Sequence, residues 1–149
     1  MKSHIIGLAI GVAFATSAFA QATSIDVKKS SGCGCCIAWI NALTEDGFAA
    51  TGEDIRGELL SQLKLDSGVP PRMTSCHTAF VEGYVIEGHV PPADIRRLLD
   101  ERPEAIGLAV PGMPYGAPGM GPEDDRDAYD VFLINGDGST AIFTSYAEN

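Results

Sequence analysis

The chain has 149 residues, 45% of them hydrophobic and 20% charged, with a formal net charge of −10. Once Lys2 is set aside, nine basic residues stand against twenty acidic ones, a balance that repels phosphate backbones and argues against nucleic acid as a partner. Beyond the first twenty positions lie about 129 residues, enough for one domain with its own core, so the four cysteines are not needed merely to hold a minimal fold together.

Met1-Lys2-Ser3-His4 is a short basic start, residues 5–14 are an apolar run, and Ala18-Phe19-Ala20 is a small-x-small cleavage site. These are the three parts of a secretory signal peptide. Residues 1–20 are therefore expected to be cleaved after Ala20, leaving residues 21–149 as an exported domain. The apolar run falls well short of the ~20 residues that span a bilayer. No membrane span is expected after cleavage.

Residues 24–28 alternate polar and apolar side chains, as a half-buried strand does. Cys36, Trp39, Ile40 and Leu43 follow at helical spacing, with Asp46-Gly47 as the stop. Residues 48–51 read as a short strand. A second helix is expected to start near Asp54 and to bury Ile55, Leu59, Leu60 and Leu63, ending before Gly68-Val69-Pro70-Pro71. Residues 78–81 and 84–87 read as strands joined at Glu82-Gly83, and Pro91-Pro92 open a helix with Ile95, Leu98 and Leu99 as its buried stripe. Residues 106–127, rich in proline and glycine and without a hydrophobic period, read as one long loop. Residues 131–134 and 140–144, separated by Asn135-Gly136-Asp137-Gly138, form a hairpin signal. This element order is that of a thioredoxin-like α/β fold with a C-terminal loop and β-hairpin extension, an inference by analogy of pattern.

Cys33-Gly34-Cys35-Cys36 places three thiols in four residues at the start of the first helix. Cys33 and Cys36 share a face there, and a helix N-terminus favours the thiolate that either attacks disulfides or ligates metal. Cys76 is the fourth sulfur. If Pro70 or Pro71 supplies the cis-proline of the loop that packs against the C-x-x-C turn in thioredoxin-like folds, Cys76 approaches the cluster. Converging thiolates suit Cu(I), Zn(II) or an iron–sulfur centre.

Three readings compete. An oxidising compartment and an even count suit two structural disulfides, although three cysteines in four residues cannot all pair comfortably. A thiol–disulfide oxidoreductase uses Cys33 and Cys36 and leaves Cys35 superfluous. Metal binding employs every sulfur. His77 and His89 are further candidate ligands, but strand neighbours point to opposite faces, so Cys76 and His77 need a bend between them to aim at one site. Met113 and Met120, in the glycine-rich loop, offer thioethers that suit Cu(I); the alternative is that they are flexible apolar filler.

Taken together, Cys33-Gly34-Cys35-Cys36 with Trp39 and Leu43, Gly68-Val69-Pro70, and Ser75-Cys76-His77-Thr78-Ala79 resemble the CopG-like periplasmic metal-binding proteins. The likeness continues through the stretch from Gly83 to Pro91, then from Gly107 to Pro114 and from Gly116 to Met120. It implies a thioredoxin-like fold, a periplasmic location and a role in copper resistance. It also implies copper bound by Cys33, Cys35, Cys36 and Cys76, with a multinuclear thiolate-bridged cluster and copper redox activity among its forms. His77, His89, Met113 and Met120 lie in matching blocks with less certain roles. The partners expected are metal ions and other periplasmic copper-handling proteins, with zinc as the alternative metal.

Overall fold

The computed structural model describes residues 21–149, so the expected signal peptide and its cleavage site lie outside the described residues. The first half of the described chain runs β1 (Ser24–Lys29), α1 (Gly34–Glu45), β2 (Ala49–Asp54), α2 (Gly57–Asp66), β3 (His77–Val81) and β4 (Tyr84–Glu87). It continues with α3 (Pro92–Glu101), β5 (Ala105–Ala109), β6 (Tyr129–Asn135) and β7 (Thr140–Tyr146). The seven strands form one mixed sheet in the order β2-β1-β3-β4-β5-β6-β7. Two parallel pairs, β1 with β2 and β4 with β5, are each bridged by a helix, and the other neighbours are antiparallel.

Strand alternation divides the core in two. Ile25, Val27, Ala79, Val81, Ile86 and Leu108 point to the face covered by α1 and α3, where they meet Trp39, Leu43, Ile95 and Leu98. Val85, Ala109 and Ile134 point the other way and pack with Val69 and Met73. The hairpin of β6 and β7 is tied to α3: the Thr144 and Tyr146 hydroxyls donate to the buried Asp94 carboxylate at 2.5 and 2.8 Å.

Three expectations change. Residues 106–127 are not all loop, because β5 takes up residues 105–109 between β4 and β6. Gly107, Leu108 and Ala109 are all buried, so this central strand shows no polar–apolar alternation to read. The second helix begins at Gly57, not near Asp54, because β2 extends through Asp54 in register with Lys29. Its buried positions are Leu60 and Lys64, whereas Leu59 is 51% exposed.

Register also fixes where chemistry can gather. Lys29 ends β1 opposite His77, which starts β3; Thr78 faces Glu87 at the end of β4, and Glu87 is level with Ala109 at the end of β5. Four strand ends therefore stand side by side, and the segments leaving them share one end of the sheet.

Candidate metal centre

Cys33 is the N-cap of α1, its thiol makes no capping hydrogen bond, and the first turn holds no acidic residue. No carboxylate in that turn competes for its unpaired N–H groups. Cys33 and Cys36 are joined as a disulfide with their Cα atoms 5.3 Å apart, while Cys35 and Cys76 are free thiols. Cys36 is fully buried and Cys33 half-buried. Cys35 Sγ lies 3.6 Å from Cys33 Sγ and 3.8 Å from Cys76 Sγ. All four sulfurs fall within 4.8 Å of one another. The two distant stretches do meet.

How Cys76 arrives differs from the expectation. No peptide bond among the described residues is cis, and Pro71 instead opens a short 3-10 turn with Pro70 as its N-cap. The Cys76 thiol itself makes the contact with the cysteine turn, 3.8 Å from Cys35 Sγ. Cys76 also stands one residue before β3, at a bend. The alternation that would have aimed it away from His77 has not yet begun there, and Cys76 Sγ lies 3.4 Å from His77 Nδ1.

His89, just past β4, completes a second group. Its Nε2 is 3.1 Å from Cys76 Sγ, and its Nδ1 is 2.8 Å from the Pro118 carbonyl. A carbonyl only accepts, so Nδ1 carries the proton and donates to Pro118, leaving the Nε2 lone pair directed at Cys76. Metal-binding histidines are commonly oriented in this way. Cys76 Sγ and one ring nitrogen each of His77 and His89 also lie within 4.8 Å of one another.

Burial sets the protonation states. It pushes the Cys76 thiol up to about 11, with the neighbouring Cys35 adding to the shift. It draws His77 down to about 3, helped by His89 and Lys64, and lowers His89 as well. Both imidazoles are therefore neutral at pH 7, and Cys76 is a protonated thiol. His77 Nε2 is buried without a hydrogen-bond partner, and its ring packs 4.4 Å from that of Trp39. Trp39 is anchored in turn by its indole N–H, which donates to the Val90 carbonyl at 2.9 Å.

The proline–glycine loop closes over this end. Gly119 has φ +81°, and a Cβ there would come within 3.1 Å of Trp39 N, the Cys35 carbonyl and Ala38 C. Only glycine lets the loop lie on the first turns of α1 and bring Pro118 to His89. On the other side, Gly112 donates its N–H to Thr74 O at 3.2 Å and accepts the Ser75 hydroxyl at 2.5 Å. Met113 follows Gly112 and is 59% exposed, and Met120 follows Gly119 and is half-buried. Pro118 acts through its backbone carbonyl, which no side-chain pattern in the sequence marks.

Residues 73–120 match a family model described as "Protein of unknown function, DUF411". A solved structure of copper resistance protein CopG, form 1, is 42% identical to this chain, covering 85% of it and 98% of its own length, with a TM-score of 0.78. The chain belongs to the CopG family. The form 2 structure of copper resistance protein CopG matches at 42% identity over 84% of this chain and 98% of its own, with a TM-score of 0.77. Among curated proteins, no sequence matches.

What this CopG-family chain presents is two sets of soft and borderline donors that share Cys76. Thiolates and imidazoles suit copper and zinc, not the hard cations that prefer oxygen. Among the described residues, no helix is long and apolar enough to cross a membrane.

Proposed function

We propose that this chain is a periplasmic copper-homeostasis protein that binds Cu(I) through Cys33, Cys35, Cys36 and Cys76, with His77 and His89 as additional donors. One observation carries the reading: four sulfurs and two neutral imidazoles from three separate segments converge on one sheet end. Its thiolate-rich half favours Cu(I) over harder ions, and the relatives named for copper resistance point the same way. Zinc remains the alternative metal, since Cys and His sets also suit it. Export rests on the signal-peptide pattern of residues 1–20, with residues 21–149 as the mature domain. A thioredoxin-like core is supported by the sheet order β2-β1-β3-β4 with antiparallel β3, and by the cysteine turn that opens α1.

Use of all four sulfurs requires two electrons and two protons to open the Cys33–Cys36 disulfide, supplied by a thiol reductant. Met113 and Met120 are outer thioether donors in this reading, on the loop that covers the sulfurs. The partners are copper ions and other periplasmic copper-handling proteins. The test is competition against a Cu(I) chelator with fully reduced protein. Wild type is expected to hold Cu(I), and Cys35→Ser and Cys76→Ser are each expected to weaken binding by about 100-fold or more, or to lower the stoichiometry. Reduced wild type with no hold on Cu(I) would sink the proposal.

A second reading has its own support. The Cys33–Cys36 disulfide joins a half-buried to a fully buried cysteine, which suits attack by an outside thiolate at the Cys33 end. It predicts that Cys35→Ser and Cys76→Ser keep most reductase activity.

A further inference from the structure

Behind the sulfurs, on the opposite face of the sheet from Trp39, lies a charged group that the ligand set does not use. Glu87 is fully buried at the end of β4. Its Oε1 accepts the Lys64 ammonium and the backbone N–H of Ser75, both at 2.6 Å, and its Oε2 accepts the Thr78 hydroxyl at 2.7 Å. Lys64, also buried, donates in addition to the Thr78 hydroxyl at 3.0 Å. The network is closed and every carboxylate oxygen is satisfied.

We propose that Glu87, held by Lys64, is the positioning residue that presents Cys76 and His89 to the metal: its carboxylate grips the N–H of Ser75, one residue before Cys76, and it stands two residues before His89. This rests on the copper-binding reading above. A buried ion pair is a poor stability device, because well-packed apolar residues of similar size are commonly as stable or more so. What an apolar pair cannot do is accept the Ser75 N–H.

The surrounding geometry converges on the same residue. Gly88, with φ +72°, brings the end of β4 so close to Ser75 that a Cβ would lie 2.5 Å from its side chain and 2.6 Å from the Val110 carbonyl. Gly88 also donates its N–H to the His77 carbonyl at 3.1 Å. Ser75 donates its hydroxyl to Gly112. Ser75 is thereby braced by β4, the β4–α3 turn and the covering loop, and Glu87 supplies the one charge-assisted bond among these braces. A small rotation of the backbone at this point would break the 3.1 Å contact between Cys76 and His89.

The experiment compares two double variants with wild type. Lys64→Met with Glu87→Leu removes the acceptor; Lys64→Met with Glu87→Gln removes the charges but keeps an oxygen for Ser75. Three quantities are read: urea midpoint, Cu(I) affinity of the reduced protein, and peptide-resolved alkylation rates of Cys35 and Cys76 in metal-free protein with the disulfide intact. The apolar pair leaves the Ser75 N–H and the Thr78 hydroxyl unpaired and is expected to lower its urea midpoint modestly, to lose about 10–100-fold in affinity as outer partners of metal ligands do, and to alkylate Cys76 at least about tenfold faster with Cys35 unchanged. The glutamine pair is expected to lose only about threefold in affinity, a neutral bond being roughly half as strong as a charge-assisted one. A merely structural role would move the urea midpoint and both cysteines together.

A folded apolar pair with native affinity and native Cys76 reactivity overturns the proposal. Should that pair fail to fold, the glutamine pair decides, with no loss of affinity and no gain in Cys76 reactivity as the contradicting result. The alkylation readout uses no copper. It judges the positioning role even if wild type binds no Cu(I), a result that would fell the functional reading by itself.

Discussion

The face of the sheet under α1 and α3 is a continuous apolar core of Trp39, Leu43, Ile95, Leu98 and their strand partners. The face under α2 has a smaller apolar cluster around Val69, Met73 and Val85, and spends its best-buried polar positions on Lys64, Thr78 and Glu87. The sulfurs sit at the end of the sheet that both faces share. On the first face Trp39 backs His77 through ring contact; on the second Glu87 holds the backbone before Cys76. Rigidity thus comes from packing on one side and from a closed set of hydrogen bonds on the other, and the two support different side chains of one group of donors.

The contrast can be broken most forcefully on the apolar side. Trp39→Ala removes the largest fully buried side chain and is expected to cost about 3–5 kcal/mol in urea unfolding. A loss under ~1 kcal/mol would mean that this face is not the main stabiliser.

Next in size is a pH effect centred on His77. Burial holds its folded value near 3 against an ordinary 6.5, so the unfolded chain takes up the proton first as pH falls. Metal-free protein should keep the full contribution above pH 6.5 and lose it progressively toward pH 3. The loss is up to about 5 kcal/mol at 1.36 kcal/mol per unit. Stability curves of wild type and His77→Gln should differ mainly in that window, and parallel curves would contradict the burial of a neutral imidazole.

The smallest effect sharpens the comparison within α2. Leu60→Ala is expected to cost about 2–3 kcal/mol, and Leu59→Ala within about 0.5 kcal/mol, since Leu60 is 4% and Leu59 51% exposed. Equal losses would show that α2 packs with a wider face than the structure has.

The same two faces differ in how readable they are from sequence. Trp39, Leu43, Ile95 and Leu98 stand at helical spacing because both helices bury one stripe against the full core. The face of α2 misleads, because the position beside Leu60 that goes inside is Lys64, whose charge is acceptable only opposite Glu87, a partner 23 residues away. β5 escapes notice because a strand buried on both sides has no alternation. At the site, cysteine spacing and the histidines point to residues that the structure brings together. What spacing cannot carry is the bend at Cys76, which depends on the Ser75 bonds to Glu87 and Gly112, and the role of Pro118, which uses only a carbonyl.

The central claim is that sulfurs from two distant stretches act as a single centre for copper. Reduced protein should be titrated with Cu(I) and the free thiols alkylated at each step, with protection mapped cysteine by cysteine. Protection of Cys76 rising in step with that of Cys33, Cys35 and Cys36 is the predicted result. Cys76 remaining fully reactive while the other three are protected would contradict it.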